Sequence, residues 1–104
     1  MKLLHITAAL ALAAAPGAAL AQGNKEEGAK KAFTCTGCHG IAHYFNVYPS
    51  YKVPKVAGQH ADYLVAALKA YKSGERGHGT MQAQAKSLSD QDMADIAAYF
   101  ASIQ

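Results

Sequence analysis

A chain of 104 residues has room for one small domain, and ten basic against seven acidic side chains leave it a formal charge of +3. That excess is too small to mark a nucleic-acid-binding or anionic-membrane surface.

In chain order, Lys2 and the Ala- and Leu-rich run from Leu3 to Leu20 read as a secretory leader. Ala19-Leu20-Ala21 forms a small-x-small cleavage site before Gln22. The run is short for a membrane span and is broken by Pro16-Gly17, so cleavage is expected rather than retention as an anchor. The expected layout is a signal peptide over residues 1–21 and one domain over residues 22–104. The 83 residues left after cleavage keep nine basic and seven acidic side chains, since only Lys2 is lost. A domain this small is often stapled by a metal, a disulfide or a cofactor.

Asn24, with an acid three places on at Glu27, marks a helix start. The first predicted helix runs from Lys25 to Thr34 and delivers Cys35. Gly28 weakens it, and a packing reason for a glycine there is close approach of another helix. His39 to Gln59 is a loop by composition, rich in Gly, Pro, Asn and Ser. It carries Tyr44, Phe45, Tyr48 and Tyr51. A loop of that length in a compact domain implies a function, such as wrapping one edge of a large flat cofactor; the plainer reading is that the rings cover a small core. Ala61 to Ser73 reads as an amphipathic helix with Leu64, Leu68 and Tyr71 at helical spacing, stopped by Gly74. Glu75 to Ser87 is a second, glycine-rich loop. Ser89 and Asp92 form a capping box for the last helix, Asp90 to Ser102, whose apolar face carries Met93, Ile96, Ala97 and Phe100. With no repeats and no strand-length alternation, the fold class is all-α, with roughly three helices and two functional loops.

Cys35-Thr36-Gly37-Cys38-His39 holds the two cysteines of the chain. A Cys-x-x-Cys pair reads as a redox disulfide, as half of a structural zinc site or, with His directly after it, as a c-type haem attachment site. Zinc needs a second pair of ligands, and no second cysteine knuckle exists. A thioredoxin-type site needs a preceding strand, and none is evident. Haem attachment needs two thiols for the two vinyl groups and an imidazole for the iron, and these five residues supply all three. His39 is then one axial ligand. For the other, His43 is too close in sequence to reach the opposite haem face, His60 sits at a helix start, and Met93 belongs to an apolar helix face. Met81 and His78 share the glycine-rich loop, and spacing alone leaves both open.

The chain resembles the class I cytochromes c, in particular the small bacterial periplasmic single-haem type. The resemblance covers nearly all of residues 24–104. It rests on Gly28 seven residues before Cys35, Cys35-x-x-Cys38-His39-Gly40, Pro54-x-x-Ala57-Gly58-Gln59 and Tyr63-Leu64. It continues through Ser73-Gly74-Glu75-Arg76, Met81, Leu88-Ser89-Asp90-Gln91-Asp92 and Ala97-Ala98-Tyr99-Phe100. It implies a cytochrome c domain over residues 22–104 with one covalent haem c, joined through Cys35 and Cys38, its iron bound by His39 and Met81. It further implies that the Pro54 carbonyl accepts a hydrogen bond from the His39 ring, that Gly28 and Tyr99 mark the crossing of first and last helices, and that Arg76 lies near a haem propionate. Two features depart from the family: the aromatic stretch His43 to Tyr51, and Ala83 where many relatives have proline two residues after the ligand Met.

The expected function is a periplasmic electron carrier cycling between Fe(II) and Fe(III), with redox proteins as transiently docked partners, no nucleic acid, and the membrane involved only through membrane-bound redox complexes. Val47, Val53, Val56, Leu64, Leu68, Leu88 and Ile96 are expected to form a dry shell that raises the potential. The alternatives are a haem c subunit of a larger oxidoreductase, or a haem-based ligand sensor. An enzyme of the hydrolase or transferase type is not expected: no Ser/His/Asp signature or phosphate loop is present, and the acids are spread along what read as exposed helix ends.

Overall fold

The Asn24 side chain accepts a hydrogen bond from the Glu27 N–H at 3.0 Å and starts α1 (Lys25–Lys31). This computed structural model describes residues 22–103, so the expected leader lies outside the described residues. The first helix does not continue to Thr34. It breaks at Ala32, a fully buried residue, and α2 (Phe33–His39) begins there. The break lets α1 lie along the last helix while α2 turns away and carries the Cys-x-x-Cys-His segment, with Cys35 packed against the core cluster.

The segment expected to be a loop from His39 to Gln59 contains a hairpin, β1 (Phe45–Val47) and β2 (Ser50–Lys52). The strands are antiparallel, with Phe45 opposite Lys52, Asn46 opposite Tyr51 and Val47 opposite Ser50. The Val53 N–H donates to the Tyr44 carbonyl at 3.0 Å and closes its open end. Strands of three residues are too short for alternation to register in sequence, since the pattern needs four residues or more.

The third helix, α3 (Ala61–Ser73), runs as expected and ends at Gly74 in the left-handed conformation, φ 85°. The second expected loop is in part a helix, α4 (Gly79–Lys86). Its N-terminal cap is His78, whose ring nitrogen accepts from the Met81 N–H at 3.4 Å. Ser, Thr, Asp and Asn are the residues that signal a cap in sequence, and the glycines at 77 and 79 disfavour a helix, so nothing local announced this one. The last helix, α5 (Asp90–Ser102), opens with the predicted capping box between Ser89 and Asp92.

The core is built from Ala32, Leu64, Ile96, Ala97 and Phe100, with α5 packed on α1 and α3, and α3 also packed on α4. Gly28 sits where α1 crosses α5. A Cβ there would fall on the Asp95 carbonyl group and 2.9 Å from the Tyr99 Cβ. Close approach is therefore what the glycine serves. Asp95 corrects the expectation of exposed acids: it is 3% exposed, held by Lys31, Gln91 and the Asn24 N–H. The architecture is all-α in class, its five described helices accompanied by one small hairpin.

Candidate functional site

Residues three and four apart share one face of a helix. Cys35, Cys38 and His39 follow that spacing on α2, and all three line a cavity of about 390 Å³ bounded by α2, the hairpin, the segment after it, α3 and α4. Pro54 and Met81 line the same cavity. The two cysteines are free thiols, Cys35 half-buried and Cys38 exposed. Burial pushes the Cys35 thiol above its ordinary value. A redox Cys-x-x-Cys works with a thiol lowered toward the thiolate, so this shift runs against a thioredoxin-type role. Among the described residues, no three His, Cys, Asp or Glu side chains come together as a zinc site requires.

The His39 Nδ1 lies 2.7 Å from the Pro54 carbonyl oxygen. A carbonyl only accepts, so Nδ1 carries the proton and Nε2 is left with a free lone pair. Such a bond fixes both the tautomer and the ring orientation of a ligating imidazole.

Of the other ligand candidates, His43, His60 and Met93 are absent from the cavity wall. Met93 is fully buried in α5, and His60 stands at the N-terminus of α3. His78 and Met81 both face the cavity. Because His78 Nδ1 accepts from the Met81 N–H, the neutral ring carries its proton on Nε2, and neither nitrogen offers a lone pair to a metal. Among the described residues, no hydrogen bond engages the Met81 thioether, which faces the cavity.

Val53, Val56, Leu64 and Leu68 form the apolar wall. Leu88 and Ile96 pack in the core behind it. Val47 was expected in this shell, but it is 88% exposed on the outer face of the hairpin. Strand alternation is the reason: Phe45 and Val47 point one way, and their neighbours Asn46 and Tyr51 point the other. Of the four aromatic residues singled out in this stretch, only Tyr51 lines the cavity. Lys52, Lys55 and Arg76 are charged residues of the lining, and no carboxylate joins them. The Arg76 guanidinium donates to the Tyr63 hydroxyl at 3.3 Å and lies over the Tyr71 ring at 4.8 Å. The wall thus offers two thiols, a preset imidazole, a thioether, an apolar lining and a positive rim, a set that fits a flat apolar macrocycle bearing carboxylates.

Sequence reasoning passed over Thr80 at this site, and named Tyr51 only as one of four aromatic residues that would wrap a cofactor edge. The Tyr51 hydroxyl donates to the Thr80 Oγ1 at 3.1 Å, and its ring meets the His78 ring edge-on, centroids 4.6 Å apart. The aromatic excess of the 44–51 stretch was the available signal, but the face to which each ring belongs depends on strand register.

Residues 14–104 match the family described as Cytochrome c. Cytochrome c-554(548) of Halomonas halodenitrificans is 42% identical over 83 residues, covering 77% of this chain and 96% of that protein. Cytochrome c4 of Pseudomonas aeruginosa is 43% identical over 86 residues, covering 83% of this chain but 41% of the relative. Among solved structures, reduced cytochrome c4 from Pseudomonas stutzeri superposes with a TM-score of 0.64 at 35% identity, covering 79% of this chain and 46% of that one. The chain therefore spans nearly all of the first relative and less than half of each of these two cytochromes c4.

Proposed function

Because the chain belongs to the cytochrome c family, a family of covalent haem c electron carriers, we propose that it is a periplasmic carrier whose haem iron is held by His39 and Met81. As a member of that family it is an electron-transfer protein, not an enzyme, and carries haem c joined through a Cys-x-x-Cys-His motif, here Cys35 to His39.

The observation that carries the ligand reading is the opposite hydrogen-bonding of two imidazoles on one cavity. His39 donates through Nδ1 to Pro54 and keeps Nε2 free, whereas His78 accepts through Nδ1 and does not. Met81 is then the candidate left for the second axial position. The bound group supplies a one-electron Fe(II)/Fe(III) couple. The rest is done by the chain. Cys35 and Cys38 would hold the macrocycle through two thioether bonds, each S–H adding across one vinyl group. The Pro54 carbonyl holds the His39 ring and raises its basicity. Val53, Leu64 and Leu68 keep water from the buried side and so disfavour the more highly charged oxidised state. Lys52, Lys55 and Arg76 suit the anionic edge of the group and an acidic partner surface docking there briefly. The periplasm is supported by the secretory pattern of residues 1–21 and by thioether chemistry suited to an exported chain. Among the described residues no helix is long and apolar enough to cross a membrane.

The test is an absorption spectrum of the protein matured with its leader and a haem-attachment system. The expected result is c-type bands that survive acid–acetone extraction and, in the oxidised form, the weak far-red band of Met–iron ligation. Haem without that band would overturn Met81 as ligand. Extractable haem would overturn the thioether reading.

A further inference from the structure

Among the described elements, the hairpin is the one that neither the attachment motif nor the helix packing requires. Its outer face is exposed, with Phe45 at 56% and Val47 at 88%. Its inner face makes two contacts with the start of α4. The Tyr51 hydroxyl donates to the Thr80 Oγ1 at 3.1 Å, and the Tyr51 ring packs edge-on against His78 at 4.6 Å with an interplanar angle of 87°. His78 and Thr80 flank the residue that begins α4 and immediately precede Met81. His78 also caps the Met81 N–H.

We propose that Tyr51 is a positioning residue for Met81, and that the hairpin is a clamp on the first turn of α4 that sets how firmly the thioether is held at the iron. The inference rests on the reading of Met81 as ligand and adds to it the device that holds it.

Three physical points support the clamp. First, the turn it grips is weak by itself. Gly77 and Gly79 carry a large entropy cost of ordering, and α4 has only eight residues. An aromatic edge contact and a hydroxyl hydrogen bond from a separate element supply restraint that the local sequence lacks. Second, the hairpin is itself anchored: Val53, directly after β2, is 9% exposed and bonded to Tyr44. Third, the same short segment reaches both ligand positions. Tyr51 grips the turn carrying Met81, and three residues later the Pro54 carbonyl fixes His39. Movement of this segment would therefore be felt at both proposed ligands.

The test uses the mature haem-loaded protein and added imidazole as the competing ligand for oxidised iron. In Tyr51→Ala, imidazole affinity should rise about tenfold, equivalent to 1.4 kcal/mol, with a weakened far-red band and faster amide exchange at Met81 and Gln82. Tyr51→Phe keeps the ring on His78 and loses only the hydroxyl, so it should shift affinity in the same direction by less. Thr80→Val should match Tyr51→Phe, and the two together should do no more than either alone. Phe45→Ser, on the outer face of the same hairpin, should leave all three readouts unchanged. A wild-type protein without the far-red band overturns the Met81 reading and the clamp with it. A wild-type protein with the band, whose Tyr51→Ala and Tyr51→Phe variants bind imidazole no more tightly and exchange no faster, overturns the clamp alone.

Discussion

Asp95 carries a charge in a place where water barely reaches, and it keeps that charge because every neighbour favours it. Lys31 Nζ lies 2.6 Å from Oδ2, while the Asn24 N–H and the Gln91 amide both donate to Oδ1 at 2.8 Å. Lys31, the Asn24 backbone and Gln91 together hold its carboxyl down at about 2, against an ordinary 3.8. The unfolded chain therefore binds a proton at a pH where the folded chain does not, and stability falls as pH falls. The contribution is complete above pH 4 and is lost as pH drops through about 2. Asp95→Asn keeps the shape and removes the charge, leaving Lys31 with Asp92 alone, 2.9 Å away. Denaturant unfolding of this variant at neutral pH should show reduced stability, and between pH 4 and pH 2 a flatter dependence on pH than the wild type. An unchanged slope would mean that the network does not set acid stability.

At the scale of elements, the tightest constraint is the crossing of α1 and α5. The atoms that a Gly28 Cβ would meet are the backbone of Asp95 and the Cβ of Tyr99, none of which can swing away as a flexible side-chain end could. The helices must separate to admit a methyl group, and that separation also stretches the Asp95 network, which joins the same two helices. Gly28→Ala should therefore destabilise the protein by about 1–3 kcal/mol, the usual range for overpacking, although alanine is the better helix former. Thermal or denaturant melting of the variant checks this, and a stabilised variant would show that the crossing is looser than described. The presence of this contact was readable from sequence, because a glycine inside a helical pattern asks for a reason. The hairpin and α4 were not readable, because three-residue strands, and a helix whose histidine cap itself lies between two glycines, fall below the length and cap signals on which such readings depend.

For the molecule as a whole, the cofactor cavity lies against the core rather than beside it. Leu64 belongs to the central cluster and also to the cavity wall, and Val56 and Leu68 pack against that cluster from the same wall. A domain of this size carries total stability of about 5 kcal/mol or little more, and its apolar interior is small. Cys35→Ala with Cys38→Ala prevents covalent attachment and leaves the wall without its filling. That chain should lose its cooperative thermal transition when followed by circular dichroism. A sharp transition within a few degrees of the haem-loaded protein would show that the helices fold independently of the group.

The sequence by itself determined the attachment motif, the two long helices α3 and α5 with their apolar faces, the start of the first helix at Asn24 though not its break at Ala32, and the need for close approach at Gly28. Each of these depends on residues adjacent in the chain or spaced by one helical period, so the signal is local. The tertiary structure alone decided that Val47 faces outward while Tyr51 faces the cavity, that Asp95 is buried, and that His78 caps a helix instead of offering a lone pair. Those outcomes hinge on strand register and on contacts between segments far apart in sequence, such as the 29 residues from Tyr51 to Thr80. No local pattern encodes a contact of that kind, because it exists only once α3, α4 and the hairpin have been brought around one cavity.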